Sequence, residues 1–306
     1  MTDLRSRLQG LWLPLVTPFR DDELDETSLR RLVRGYTTSA INGFILAATT
    51  GESLTLDPFE TGRLVAIVGD EVARSGHDLP IVLGLSGSNT RAMLELLDAT
   101  AAWPIDGYLI SCPYYSRPSQ NGMIQHFGAL AGRAAHPVLI YNIPYRTGVN
   151  LGNEAMLHLA AHPNIAGLKD CCAIRAQSME LLRQRPAGFA VLTGEDAQTY
   201  EALSDGADGA ILASAHIETE TFASIAALFA AGDRAAARAR WDRVADLTQL
   251  LFSEPSPAPI KYWLWRTGLI DSAEVRLPMT GVSAELAARL DRRIDRAKQA
   301  PMVNAR

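Results

Sequence analysis

Ile165-Ala166-Gly167-Leu168-Lys169 is a run of apolar and small residues that ends on a lysine. Four such residues read as a short strand buried on both faces. The lysine that closes it then sits at the mouth of a core and not in open water. Burial disfavours the ammonium, so the pKa falls and the free amine becomes available. A neutral amine facing a cleft can attack a carbonyl and form a Schiff base. The same five residues also allow a surface lysine just past a strand, and the surrounding chain decides between the two.

Runs of the same kind recur on both sides of it. They are Leu11 to Val16, Phe44 to Ala48, Ile81 to Leu85, Gly107 to Ile110, Val138 to Tyr141, Ile165 to Leu168, Ala190 to Leu192 and Gly209 to Leu212. Each is followed by a segment long enough for a helix, which argues for parallel strands in βα units. Eight of them within about 200 residues predict an α/β fold, a (β/α)8 TIM barrel, with a doubly wound sheet as the competitor. Asp57-Pro58-Phe59-Glu60 has the N-cap, first-turn proline and capping-box glutamate of a helix start, and Ser88-Asn89-Thr90 offers a second cap before Arg91 to Ala102. After Leu212 the pattern is helical only. Ala223 to Ala231 and Arg234 to Phe252 are Ala-rich and periodic, Ser253 to Pro259 breaks them, and helical stretches follow near Lys261 to Thr267 and Ser283 to Lys298. The expected organisation is a barrel carrying the active site over residues 1–230 and a C-terminal helical domain over 231–306.

Composition narrows the function classes. A net charge of −5 leaves no basic footprint for nucleic acid. No stretch is long and apolar enough to span a bilayer, and Met1 to Arg5 lacks the apolar core of a signal peptide, so a cytoplasmic location is expected. Three cysteines (Cys112, Cys171, Cys172), two of them adjacent, form neither a disulfide framework nor a CxxC zinc motif. His158 and His162 have i, i+4 spacing but lack the glutamate of HExxH and precede a strand, so they read as a surface helix and no metal is expected. Gly84-Leu85-Ser86-Gly87 is not a GxGxxG motif, no P-loop lysine accompanies it, and no GxSxG elbow occurs.

In such barrels the site lies at the carboxyl ends of the strands. The residues just past each run are therefore the candidates. They include Thr49-Thr50-Gly51-Glu52-Ser53, a turn whose N–H groups can hold a carboxylate. Pro113-Tyr114-Tyr115 supplies phenols, and Tyr141 ends the fifth run, with Arg146 beyond it offering a fork suited to a carboxylate. Lys169 ends the sixth run and Thr193-Gly194-Glu195-Asp196 follows the seventh. An amine nucleophile, phenols and carboxylate-binding groups on one rim fit Schiff-base chemistry on a 2-keto acid.

These residues carry a resemblance. Thr49 to Ser53, Pro113 to Tyr115 with Arg117 to Gln120, Tyr141 to Pro144 with Arg146 to Gly148, Gly167 to Asp170, Gly194 to Asp196, Glu254-Pro255 with Pro257 and Pro259 to Lys261, and Arg276 to Met279 stand in an order that resembles the dihydrodipicolinate synthase family. That family sits within the N-acetylneuraminate lyase superfamily of pyruvate-dependent class I aldolases. The resemblance implies that Lys169 forms the Schiff base with pyruvate, Tyr141 relays protons, Thr50 hydrogen-bonds Tyr141, and Tyr115 completes the relay from a neighbouring subunit. It implies that Thr49 and Thr50 bind the pyruvate carboxylate, that Arg146 holds the carboxylate of L-aspartate semialdehyde, and that Gly194 and Ile211 position pyruvate. No cofactor is implied beyond the covalent Schiff base. The implied assembly is a homotetramer, a dimer of dimers, and the implied reaction leads to 4-hydroxy-tetrahydrodipicolinate in lysine and diaminopimelate biosynthesis. The alternative on the same scaffold is another pyruvate-dependent class I aldolase or lyase, or a keto-sugar-acid dehydratase.

Two departures from the family pattern stand out. Small residues such as Ala-Thr-Gly commonly follow the acidic residue after the lysine, whereas here Asp170 is followed by Cys171-Cys172-Ala173. Lysine-inhibited members carry His and Glu at positions that match Pro58, Thr61 and Ala92, so weak or absent inhibition by lysine is expected.

Overall fold

In the computed structural model the eight runs are eight strands: β1 (Gly10–Pro14), β2 (Gly43–Leu46), β3 (Ile81–Leu85), β4 (Gly107–Ser111), β5 (Val138–Asn142), β6 (Ile165–Asp170), β7 (Ala190–Thr193) and β8 (Gly209–Ile211). They close in the order β1-β8-β7-β6-β5-β4-β3-β2, all parallel, with β1 pairing to both β8 and β2. Closure excludes the open doubly wound sheet. The structure describes residues 4–299. Met1 to Asp3, part of the N-terminus discussed above, and residues 300–306 lie outside the described residues.

A helix follows each strand: α1 (Glu26–Thr37), α2 (Pro58–Ser75), α3 (Thr90–Thr100), α4 (Gln120–Arg133), α5 (Asn153–Ala160), α6 (Arg175–Gln184), α7 (Thr199–Asp205) and α8 (Thr219–Ala230). The predicted caps form. Asp57 and Glu60 make both halves of a capping box ahead of α2, and Asn89 accepts from the N–H groups of Arg91 and Ala92. Each satisfies donors that the first turn leaves orphaned. One apolar layer lies between strands and helices. A second, smaller set fills the barrel and includes Trp12, Ile45, Val82, Leu109, Leu139 and Leu192. Trp12 is fully buried, and Gly43 beside it must lack a side chain, since a Cβ there would run into the indole ring. Leu4 and Leu8 belong to the inner set, near the amino ends of the strands. The carboxyl rim is left for polar residues.

Four helices follow the barrel: α9 (Arg234–Trp241), α10 (Ala245–Leu251), α11 (Ala258–Arg266) and α12 (Ala284–Gln299). The stretch Arg234 to Phe252, read as one helical pattern, divides over residues 242–244. Trp241 and Val244 are both buried, and the turn between the helices lets both face inward. Helix α11 starts at Ala258, earlier than expected, because Pro257 and Pro259 fall at its cap and first turn, where no N–H is missed. The i, i+4 histidine reading also changes. Helix α5 ends at Ala160, and His162 lies beyond it, its Nδ1 accepting from the Asn164 N–H at 3.1 Å.

Candidate active site at the carboxyl rim of the barrel

Lys169 is the penultimate residue of β6 and is buried, with 4% of its surface exposed. Its orientation depends on an irregularity. Val138 pairs with Ile165, but the next residue, Leu139, pairs with Gly167. One extra residue in β6 therefore puts Tyr141 opposite Lys169; an unbroken register would have put Leu168 there. Paired residues on parallel strands project to the same face, so this bulge aims the lysine at the barrel interior. The Nζ lies 4.3 Å from the centroid of the Tyr141 ring. Burial lowers the Lys169 pKa from its ordinary 10.5; Cys171, Asp196 and Glu195 oppose that shift and Arg146 adds to it. Gly194 lies against the lysine stem. A Cβ there would collide with Lys169 Cε and lie 2.5 Å from Cys171 Sγ, so only glycine fits.

Tyr141 is also buried, and burial holds its phenol well above the usual 10. The Thr49 hydroxyl lies close enough to the phenol to oppose that shift. In the turn after β2 adjacent residues face different ways. Thr49 lines the cleft, while Thr50 is buried and does not. The Glu52 N–H donates to the Thr49 carbonyl at 3.1 Å and the Ser53 N–H to the Ala48 carbonyl at 3.2 Å, which close the turn. The Thr17 hydroxyl donates to the Gly51 carbonyl at 2.8 Å and ties the turn to the segment after β1. Ala47 and Glu52 both have left-handed backbones, with φ of 47° and 55°.

The cleft above this pair has a volume of about 310 Å³, at the lower end of the size that holds small ligands. Thr49, Ser111, Tyr114, Tyr141, Arg146 and Met279 are among the residues that line it. Arg146 is an exposed residue of the short helical turn Pro144–Thr147. Ile211 is buried in the same inner set as Tyr141 and Cys171. Tyr115 stands apart from the others. It is 94% exposed with φ of 68°, and Tyr114 takes the place in its own chain's cleft.

Some cleft groups carried no assigned role in the sequence. Ser111 ends β4, lines the cleft, and its buried Oγ has no hydrogen-bond partner, so it can meet a ligand. Cys171 and Glu195 lie beside Lys169, and burial raises the pKa of both. Ser111 stands one residue past the apolar run ending at Ile110, a position the strand-end rule could have included. Among the described residues no cluster of three His, Cys, Asp or Glu is placed to hold a metal ion. The rim instead offers a buried amine, a phenol with a threonine hydroxyl in the same cleft, and an arginine at the entrance. That set can attack a carbonyl, move a proton and hold a carboxylate.

Comparison with known proteins agrees with this chemistry. Residues 7–297 match the Dihydrodipicolinate synthetase family. The 4-hydroxy-tetrahydrodipicolinate synthase 2 of Clostridium acetobutylicum is 40% identical over 286 residues, covering 94% of this chain and 99% of that protein. A dihydrodipicolinate synthase variant described as the first monomeric one superposes with a TM-score of 0.92 at 28% identity, covering 97% of this chain and 99% of that one. The chloride-inhibited dihydrodipicolinate synthase of Acinetobacter baumannii, solved in complex with pyruvate, superposes with a TM-score of 0.88 at 32% identity, covering 95% and 99%.

Proposed function

The chain belongs to the dihydrodipicolinate synthetase family, and from that premise we propose how its rim condenses pyruvate with L-aspartate semialdehyde to 4-hydroxy-tetrahydrodipicolinate. The enzyme is a lyase of lysine and diaminopimelate biosynthesis. The observation that carries the site assignment is Lys169, buried without an ion-pair partner among the described residues and lying over the ring of Tyr141.

Lys169 Nζ attacks C2 of pyruvate. The carbinolamine loses water to give an iminium, and a C3 proton leaves to give the enamine. C3 of the enamine then bonds to the aldehyde carbon, and the new alkoxide takes up a proton. The acceptor's own amine attacks C2, closes the ring and releases Lys169. Each step moves a proton, and that task falls to Tyr141 with Thr49 in the same cleft. A phenol held above its usual pKa is a weak acid, so it serves best while hydrogen-bonded in a relay. Thr49 and Thr50, with the turn they belong to, bind the pyruvate carboxylate. Gly194 leaves room for the lysine stem, and Ile211 forms part of the apolar floor. Arg146 holds the acceptor's carboxylate at the entrance. The iminium is the electron sink, so the reaction asks for no metal or organic cofactor.

Tyr115 completes the relay in a neighbouring subunit of a homotetramer; its 94% exposure supports this, since an aromatic ring that large is seldom left in water. No described helix is long and apolar enough to cross a membrane, and we place the enzyme in the cytoplasm. The test is borohydride trapping with pyruvate followed by an acceptor panel. An adduct on Lys169 with turnover of L-aspartate semialdehyde is expected. An adduct elsewhere, or cleavage of a sugar acid with aspartate semialdehyde inert, overturns the reading.

A further inference from the structure

Lys261 is a second buried lysine, and the mechanism above does not use it. It lies on α11, outside the barrel strands, with none of its surface exposed. Its Nζ donates to Glu52 Oε1 at 2.6 Å, and the Glu52 side chain is 2% exposed. The other Glu52 oxygen accepts from the Arg276 N–H at 3.0 Å. The Arg276 guanidinium in turn donates to the Thr55 carbonyl at 2.9 Å and pairs with Glu60 at 2.5 Å and Asp22 at 3.0 Å. Phe19 packs beneath both cations, 4.3 Å from Lys261 Nζ and 4.1 Å from Arg276 Cζ.

This cluster closes on the catalytic turn. Glu52 is three residues past Thr49; its N–H donates to the Thr49 carbonyl, and its own carbonyl accepts from the Thr55 hydroxyl at 2.9 Å. Its left-handed backbone is one that a non-glycine residue keeps only when its surroundings hold it. Apolar residues of similar volume would stabilise the same interior as well as a buried ion pair does. A hydrogen-bonded pair adds direction, since it fixes where the carboxylate stands. That carboxylate fixes the turn that carries Thr49 into the cleft it shares with Tyr141.

We propose that Lys261 is a positioning residue for the reaction: its buried pair with Glu52 anchors the turn from Ala48 to Ser53 so that Thr49 keeps its place in the cleft beside Tyr141. The proposal rests on the relay assigned to Thr49 and Tyr141. The C-terminal helices are then part of the catalytic apparatus, although none of their residues contributes to the chemistry.

The test uses Lys261→Met, Glu52→Gln and the double variant, each in the full chain. Active sites are counted by borohydride trapping of pyruvate on Lys169, and kcat is expressed per trapped site. Lys261→Met should still trap pyruvate and lose about tenfold or more in kcat per site. The double variant removes the stranded charge, so it should recover thermal stability without recovering kcat. Thr49→Val should cost about tenfold or more in the native chain but less than about threefold in the Lys261→Met background, the non-additivity of residues that act as a unit. Should Lys261→Met fail to fold, the double variant carries the same cycle. Unchanged kcat per trapped site, kcat recovering together with stability, or additive losses with Thr49→Val would overturn the positioning role. Failure of the native chain to trap pyruvate on Lys169 would overturn the Schiff-base reading first, and the positioning role with it.

Discussion

Lys169 and Lys261 are both interior lysines, and each lies 4.3 Å from the centroid of an aromatic ring. They differ in what stands opposite. Lys261 faces Glu52 at 2.6 Å, and that carboxylate resists the pull of burial, which brings the ammonium to about 8. Lys169 has only Cys171, Asp196 and Glu195 nearby, and burial raises the pKa of all three, so each is a reluctant anion. Burial is common to both sites, and the available counter-charge separates an anchored cation from the proposed nucleophile.

The sharpest way to break this contrast is to neutralise each lysine in turn. Lys169→Met should lower activity by about 10⁴-fold or more, the scale on which an enzyme loses its nucleophile. It should leave thermal stability unchanged or raised, because no buried partner is stranded. Lys261→Met should do the reverse to stability and cost about 3–5 kcal/mol in urea unfolding, since Glu52 is left buried and unpaired. If both variants lost the same stability, the contrast would collapse.

Arg146→Ala moves the question to the cleft mouth. It should preserve pyruvate trapping and raise KM for the aldehyde by about 10- to 100-fold, the worth of one charged hydrogen-bond pair; an equal loss of trapping would place Arg146 on pyruvate instead. The pH dependence sharpens the Lys169 side. Below its lowered pKa the ammonium predominates, so trapping should slow about tenfold per pH unit as pH falls. As pH rises through that pKa the rate should level off below the ordinary 10.5, and a rate still climbing at that pH would show an unshifted amine. The smallest effect is expected from lysine itself. Pro58 opens α2, the Thr61 hydroxyl is spent on the Asp57 carbonyl at 2.8 Å, and Ala92 has no polar group. Calorimetry should therefore detect no tight lysine site.

Much of this architecture was legible in the chain. Each predicted run overlaps a strand, because strands covered by helices must be apolar on both faces and turn residues punctuate them. Lys169 and Tyr141 were visible as strand-end residues. Their shared face was not, because it depends on one extra residue in β6 that no local pattern marks. Which of Thr49 and Thr50 faces the cleft was hidden for a similar reason, since two adjacent hydroxyls in a turn are equivalent until the backbone angles are known. The Glu52–Lys261 pair spans 209 residues of sequence and needs both a left-handed residue and an extra helix to form. Reading the chain segment by segment shows two ordinary charged residues there.

The whole sequence contains only three lysines, and the third, Lys298, is exposed on α12. With the other two inside, the described surface carries its positive charge almost wholly as arginine. That makes the protein a nearly silent background for amine-reactive probes. A bulky activated ester should leave its folded side chains untouched apart from Lys298, while Lys169 stays available to carbonyl compounds small enough to enter the cleft. Covalent capture of a keto acid can then be read from intact mass, with scarcely any competing label to subtract.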